Sequence, residues 1–205
     1  MDFRRVDRKL CLIRDSRFLQ VLDPERKTQA NAALFCGYID HAKGLFYEAL
    51  GLVRWDGDNY ELISDTQGIG LKVRADSVDE AQVRPIEDAE LEERFRCVMD
   101  TLSVYYRNQN LVAVRALAEL DPFRHPQHPD DICALFLTPR NRLERMWVRS
   151  EQTAHTADGI LLVAGKLLNE PNHIPRLHAG AAVTLTVVET TRGKQCVGVP
   201  GRVAE

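Results

Sequence analysis

One short segment of the chain concentrates the residue types that bind metal ions. His125 and His128 stand three positions apart, and further candidate ligands follow at once: Asp130, Asp131 and Cys133. Zinc accepts imidazole, carboxylate and thiolate ligands, so the His-x-x-His spacing could place two ligands on one ion. No second segment supplies paired ligands at a matching spacing. We therefore predict neither a metal nor another cofactor, and keep a metal-dependent hydrolase that uses His125 and His128 as an alternative.

The common catalytic signatures are absent from the sequence. There is no Gly-x-Ser-x-Gly elbow, no His-Glu-x-x-His helix and no paired-carboxylate motif. The cysteines, at positions 11, 36, 97, 133 and 196, form no Cys-x-x-Cys pair. An odd count without such pairs is typical of reduced, structural thiols in a cytosolic protein. The sequence therefore predicts no catalytic residue and favours a binding protein over an enzyme.

Composition limits the classes of partner. The chain has 205 residues, 28% of them charged, and a formal net charge of −3. Dedicated nucleic-acid binders are usually strongly basic, so this charge argues against a nucleic-acid partner. The longest apolar runs, 132–137 and 160–165, are far shorter than the roughly 20 residues of a membrane-spanning helix. With no secretory signal at the start, we predict a cytoplasmic protein that does not enter a membrane.

Acidic side chains are concentrated between residues 56 and 100. This stretch contains 13 acidic and five basic side chains, a net charge of −8. Such a run is typical of a solvated surface. It would also attract a basic partner protein, because complementary charge raises association rates. The acidic residues that we predict to contact such a partner are Asp76, Asp79, Glu80, Glu90 and Glu93.

A tryptophan in the second half of the chain is a candidate anchor for a partner. A strand over residues 143–150 would turn Met146 and Val148 towards the core, because side chains alternate between the faces of a strand. The opposite face would present residue types that dominate binding hot spots, namely Arg145, Trp147 and Arg149. Alternatively, a helix covers that face and Trp147 belongs to the core. Trp55 is the second aromatic residue that we predict to contact a partner.

Three prolines close together mark the clearest boundary in the chain. Pro122, Pro126 and Pro129 cannot continue a helix or lie inside a central strand. We predict an N-terminal α+β region over residues 1–121, a Pro/His linker over 122–130 and a C-terminal β-rich domain over 131–205. The fold class is α+β, with helices concentrated in the first half and a mainly antiparallel sheet in the C-terminal region.

Local patterns predict the individual elements. In the first region we expect strands at 9–13, 18–22, 60–64 and 69–74, and a hairpin turn at Asp56-Gly57. Asp23-Pro24 is typical of a helix start, because Asp can accept from free N–H groups and Pro tolerates the first helical position. Apolar residues at steps of three or four predict helices over 88–106 and 110–121. In the last region we expect strands at 132–137, 143–150, 159–168, 182–190 and 195–199.

Four segments of the C-terminal region form an ordered pattern. An apolar strand precedes an acidic-x-Met-Trp-Val strand; Gly-x-Leu with Asn-x-Pro follows, and a Gly-led apolar strand comes last. These segments are 134–137, 144–148, 165–171 and 177–183. In this order they resemble a small bacterial domain family of unknown function that is often found beside toxin–immunity gene arrays. Ala181 departs from the family pattern, which usually has an acidic residue after the final Gly.

The resemblance implies a binding protein, since relatives have been proposed to neutralise polymorphic toxins in the producing cell. Asn169 and Pro171 suit a tight exit from a strand, and Gly180 suits a turn, so the motif implies architectural roles. Our leading hypothesis is an immunity-type protein that binds a cognate toxin and occludes its surface; the acidic stretch favours a basic toxin. The alternatives are the metal-dependent hydrolase and a module that binds a peptide at an exposed sheet edge.

Overall fold

Two separate sets of strands organise the chain. The computed structural model describes residues 2–66 and 69–201. The chain divides into an N-terminal unit, Met1–Tyr105, and a C-terminal unit, Tyr106–Glu205. Each unit has a hydrophobic core of its own. Residues 106–130, which the sequence patterns assigned to the first region and a linker, belong to the C-terminal unit.

A six-stranded antiparallel sheet forms the N-terminal unit. Its strands are β1 (Leu10–Ile13), β2 (Ala32–Asp40), β3 (Gly44–Trp55), β4 (Tyr60–Asp65), β5 (Lys72–Arg74) and β6 (Val83–Ile86). They lie in the order β4-β3-β2-β1-β6, and β5 also pairs with β3. The predicted hairpin is confirmed: the turn at Asp56-Gly57 joins β3 to β4, with Trp55 opposite Tyr60.

The sheet of the N-terminal unit is covered on both faces. On one face lies α1 (Ser16–Leu22), where Phe18 meets the ring of Phe35 edge-on at 5.5 Å. The other face is covered by α2 (Ala89–Arg94), α3 (Arg96–Leu102) and the turn that follows them. There Phe95 is fully buried, and Tyr105 stacks on Tyr38 at 4.9 Å. The nine residues of β2 are almost all buried because both faces are covered.

The first helix corrects two predictions. Residues 18–22 are helical instead of extended, because the Asp15 carboxylate caps the first turn and accepts from the backbone N–H of Arg17. The Arg17 guanidinium also holds the pKa of Asp15 below its usual range. No helix begins at Asp23, because its carboxylate accepts from the backbone N–H groups of Lys27 and Thr28 and closes a loop instead.

The long helix predicted over residues 88–106 is broken. Asp88 caps α2 as a helix start would require, accepting from the N–H groups of Glu90 and Leu91. Phe95 then leaves the helical conformation, with φ −100° and ψ 11°, and α3 begins at the next residue. We attribute the break to the complete burial of the Phe95 side chain, because close packing against the sheet outweighs a local helical preference.

A closed five-stranded barrel forms the C-terminal unit. Its strands are β7 (Asp131–Leu137), β8 (Leu143–His155), β9 (Leu161–Leu167), β10 (Ala182–Thr190) and β11 (Gly193–Pro200). Neighbours in sequence pair antiparallel, and β11 closes the barrel on β7 by a parallel pairing of Val197 with Leu135. All five strands predicted in this region are confirmed. Closure gives every strand of this barrel two neighbours, so none of them is an edge strand.

Helices are short and are not confined to the first half. The last α-helix, α4 (Gln109–Ala116), and the 3-10 helix that follows it, Ala118–Phe123, belong to the C-terminal unit, where Val114 enters the barrel core. The α+β class is confirmed, although the N-terminal unit is itself built on a sheet. Within residues 2–66 and 69–201, we find no helix long and apolar enough to cross a membrane.

The Pro/His segment is packed within the C-terminal unit. The Arg124 side chain, 4% exposed, donates to the carbonyl oxygens of Pro129 and Val114 at 2.6 and 2.5 Å. The backbone N–H of His125 donates to the carbonyl oxygen of Asp131 at 2.9 Å. These bonds fold residues 124–131 back onto the start of β7, so the prolines here shape an ordered turn.

Barrel closure depends on a glycine at the junction of β11 and β7. A Cβ on Gly198 would lie 2.6 Å from two ring carbons of Phe136, closer than real side chains approach. We expect Gly198→Ala to destabilise the C-terminal unit by about 1–3 kcal/mol or more, because Phe136 is 1% exposed and fills the barrel. Urea denaturation would measure this loss of unfolding free energy. Gly193→Ala is the control for backbone strain, because Gly193 has φ +87° but a Cβ there would meet no atom within 4 Å.

Candidate protein-binding surface on the barrel

Three neighbouring strands, β11, β7 and β8, present one outward surface. Their inward side chains are buried in the core, Phe136, Met146 and Val148 among them. We call the surface formed by the outward side chains the outer face; its residues are Cys133, Leu135, Leu137, Leu143, Arg145, Trp147, Arg149, Val197 and Val199. The predicted alternation is thus confirmed, because Met146 and Val148 face the core while Arg145, Trp147 and Arg149 do not.

One end of the outer face is apolar and exposed. Leu137 and Leu143 are cross-strand partners, and each is 63% exposed. Val199, on the neighbouring strand β11, is 55% exposed. Single exposed apolar residues are common on protein surfaces, whereas contiguous ones usually mark an interaction site. Leu137, Leu143 and Val199 lie on three adjacent strands, so this end is an exposed apolar patch and a candidate binding surface.

Trp147 lies at the opposite end of the outer face and is half-buried. Its ring meets the His125 ring edge-on, with centroids 5.3 Å apart. Its backbone N–H donates to Asn169 Oδ1 at 2.8 Å, and its carbonyl oxygen accepts from the N–H of Leu168. Because the strand is held by both bonds, the ring has a defined position on the surface, which is typical of an anchor residue.

The two arginines of the outer face differ in their surroundings. Arg149 forms a bidentate ion pair with Asp131, at 2.8 and 3.0 Å, and its charge is largely compensated. Arg145 is exposed and has no ion pair with any residue that the structure describes. Arg145 therefore gives the outer face a positive charge next to Leu135, its cross-strand partner.

The His-x-x-His cluster is part of the support of this face. His125 Nδ1 accepts from the backbone N–H groups of Gln127 and His128, each at 3.2 Å, so this nitrogen is already in use. The two imidazole rings lie edge-on with centroids 5.0 Å apart. Throughout the described part of the chain, no group of three or more His, Cys, Asp or Glu side chains is arranged to hold a metal ion. Burial also raises the pKa of the Cys133 thiol, which disfavours a thiolate ligand or nucleophile.

The residues that carry the family resemblance build the loop after β9. The Glu144 carboxylate accepts from the backbone N–H groups of Asn172 and His173 at 2.6 and 3.0 Å. Glu170 accepts from the N–H of Ala179, which together with His178 holds the pKa of this carboxyl below its usual range. Gly180 has φ +84°, the turn conformation expected for it. These contacts fix the course of the loop.

Removing the Glu144 carboxylate tests this role. We expect Glu144→Ala to expose the backbone N–H groups of Asn172 and His173 to exchange and to cost about 1 kcal/mol of unfolding free energy. Hydrogen exchange of these two amides would measure the effect. Glu189→Ala, which removes an exposed carboxylate from β10, is the matched control. Unchanged protection at both amides would contradict the role assigned to Glu144.

Trp55 lies in the N-terminal unit, where arginines surround it. The Arg14 guanidinium lies 4.4 Å from the centre of the indole ring, and that of Arg84 lies 5.8 Å from it. Arg14 also donates to the carbonyl oxygen of Trp55 at 2.6 Å. The half-buried ring therefore helps to hold the end of β3 in place, and its role in partner contact stays a prediction.

The five predicted acidic contact residues are all exposed, but they form two groups. Asp76, Asp79 and Glu80 lie in the segment between β5 and β6, which packs on the α1 face through Ala75 and Val78. Glu90 and Glu93 lie on α2, on the opposite face of the sheet. The stretch that is continuous in sequence is thus two surfaces in space. Asp76 and Glu93 are also paired with nearby arginines, Arg74 and Arg96.

Sequence reasoning missed the apolar end of the outer face. Leu137, Leu143 and Val199 lie on three different strands, and a single apolar residue in a strand does not by itself indicate a binding surface. The strand alternation that identified Arg145 and Trp147 also assigns Leu143 outward, so part of the signal was present.

Comparison with known proteins identifies no relative of this chain. No family model, curated protein or solved structure matches the chain. The resemblance of the C-terminal region therefore stays a hypothesis.

Proposed function

We propose that this chain is an immunity-type protein that binds a cognate bacterial toxin in the cytoplasm and occludes the toxin's surface. The observation that carries the proposal is the outer face of the barrel. This face has an exposed apolar end, formed by Leu137, Leu143 and Val199. Arg145 and the Trp147 ring, which contacts the His125 ring, continue the same face. An apolar patch with Trp and Arg anchors is the composition of protein–protein hot spots.

The barrel suits this task because it is a closed scaffold. A binding surface of about 800 Å² per partner is typical of specific complexes, and pre-formed strands present it with little loss of conformational entropy. Peptide binding by strand addition would need a free sheet edge, which the barrel lacks; among the described strands, β4 and β6 at the ends of the N-terminal sheet are the edges that such a peptide would use. The C-terminal resemblance supports the same function.

Co-expression tests the proposal directly. The gene product encoded next to this chain would be expressed in bacteria with and without it, followed by affinity purification. We expect the neighbouring product to inhibit growth, and this chain to restore growth and to co-purify with it. Restored growth without a complex would instead indicate an enzyme that reverses the damage. Neither rescue nor a complex would reject the immunity function.

The acidic groups of the N-terminal unit are expected to set the association rate with a basic toxin. We expect Glu90→Lys with Glu93→Lys to slow association about tenfold at low salt and to reduce its salt dependence, because steering depends on complementary charge. Stopped-flow measurements over a salt series would test this. The pair Asp76→Lys with Glu80→Lys changes the acidic group on the opposite face of the sheet. Comparing the association rates of the two double variants shows which acidic group attracts the toxin. Unchanged rates in both pairs would remove steering from the proposal.

A further inference from the structure

A cleft on the C-terminal unit is lined by residues other than the outer-face side chains that carry the proposed function. Its volume is about 400 Å³, within the range of small-molecule sites. The loop after β9 forms most of its wall, and the β7–β8 turn supplies Arg140. The remaining basic groups that line it are His173, Arg176 and His178. The cleft therefore gathers four basic side chains, two of them arginines.

The charges in the cleft are not balanced from within. Arg140 and Arg176 are exposed, and neither forms an ion pair with any residue in the ranges 2–66 and 69–201. Glu170 is the acidic residue that lines the cleft, and its carboxylate already accepts from the Ala179 N–H at 3.0 Å and lies 2.6 Å from His178 Nδ1. Two guanidinium groups thus remain available to a ligand.

The cleft is held in shape before any ligand arrives. Glu144 binds two consecutive backbone N–H groups of the loop, as described above, and Leu177 anchors it, at 5% exposure, in the barrel core. Arg176 adopts the left-handed conformation, with φ +68°, which is uncommon for a residue with a side chain. A strained residue held by its surroundings is often found at binding sites, where it aims a side chain.

We propose that this cleft binds the phosphate group of a small organic phosphate ester. Arg140 and Arg176 match a phosphate dianion in charge, and guanidinium groups bind phosphate oxygens in a bidentate manner. The imidazole of His173 adds a further hydrogen-bond donor. Ile174 and the neighbouring prolines supply an apolar wall for the organic part of the ligand. This binding is independent of the toxin-binding function proposed above.

Calorimetric titration of the full chain with phenyl phosphate tests the inference. We expect saturable one-to-one binding, weaker binding of inorganic phosphate, and no binding of phenol, because the phosphate supplies the charge and the ring supplies the apolar contact. Absence of phenyl phosphate binding at millimolar concentration would overturn the proposal. Binding of phenol as tight as that of phenyl phosphate would also overturn it.

The choice of variant separates loss of the site from loss of the fold. Arg176→Gly removes the guanidinium at a backbone conformation that glycine favours, so the variant should unfold at the same or a higher temperature than the parent chain. We expect it to bind phenyl phosphate at least about tenfold more weakly, as expected for the loss of a charge-assisted contact. Arg142→Gln, two residues from Arg140 but outside the cleft, is the matched control. Unchanged affinity in Arg176→Gly would reject the site.

Discussion

Asp130→Ala is expected to destabilise the C-terminal unit by about 3–5 kcal/mol, because it leaves the buried Arg115 charge uncompensated. Arg115 Nε and Nη2 donate to the two carboxylate oxygens of Asp130 at 2.8 and 2.7 Å. The two side chains are only 5% and 3% exposed. This pair joins α4 to the residue before β7, so its loss should also loosen the packing of α4 on the barrel.

Urea denaturation followed by circular dichroism would measure this effect. Arg115→Met combined with Asp130→Ala removes both charges, and we expect it to cost less than Asp130→Ala alone, because no unpaired charge remains buried. Asp76→Ala breaks an exposed pair with Arg74 and should change stability by less than about 1 kcal/mol. A loss in Asp130→Ala no larger than in Asp76→Ala would contradict the role assigned to the buried pair.

Leu143→Asp is expected to weaken toxin binding about 30-fold or more, the size of a hot-spot substitution. The side chain is 63% exposed in the free protein, so the change should leave the fold intact. In the complex it would place a carboxylate in the apolar end of the outer face, where its desolvation would not be compensated. Affinity measured by calorimetry against the purified toxin would test this.

Ile160→Asp is the matched control for that prediction. Ile160 is an apolar residue of similar size and is 51% exposed, but it lies in the β8–β9 turn and not on the outer face. We expect Ile160→Asp to bind with the affinity of the parent chain. We expect Trp147→Ala to weaken toxin binding as well, which would show that the interface reaches the other end of the outer face. Equal affinities of Leu143→Asp and Ile160→Asp would show that the toxin binds elsewhere.

Local patterns predicted the C-terminal strands well and the N-terminal helices poorly. Strand alternation in β8 assigned Met146 and Val148 to the core, and the structure places both side chains there. By contrast, residues 18–22 became a helix through a cap at Asp15, and the helix predicted over 88–106 broke at Phe95. The helices α1, α2 and α3 are short, so a single capping side chain or one buried ring outweighs the intrinsic helix or strand propensity of their residues.

The candidate surface was predicted in part. Trp147 and Arg145 were identified because residue type and strand alternation are both local properties. The support that the surface receives from His125 does not follow from the sequence, because three prolines predict a linker and the return of this segment to β7 depends on Arg124 bonds to Pro129 and Val114. Proline indicates where regular structure ends, but it does not indicate where the chain goes next.

The sequence by itself determined the α+β class, the strands of the barrel and which side chains of β8 face outward, because each follows from neighbours along the chain. Only the tertiary structure decided that β11 pairs with β7 and so brings Val199 beside Leu137 and Leu143. It also decided that the acidic stretch divides between two faces of a sheet. Pairing between strands far apart in sequence depends on how the whole core packs, which no local spacing encodes.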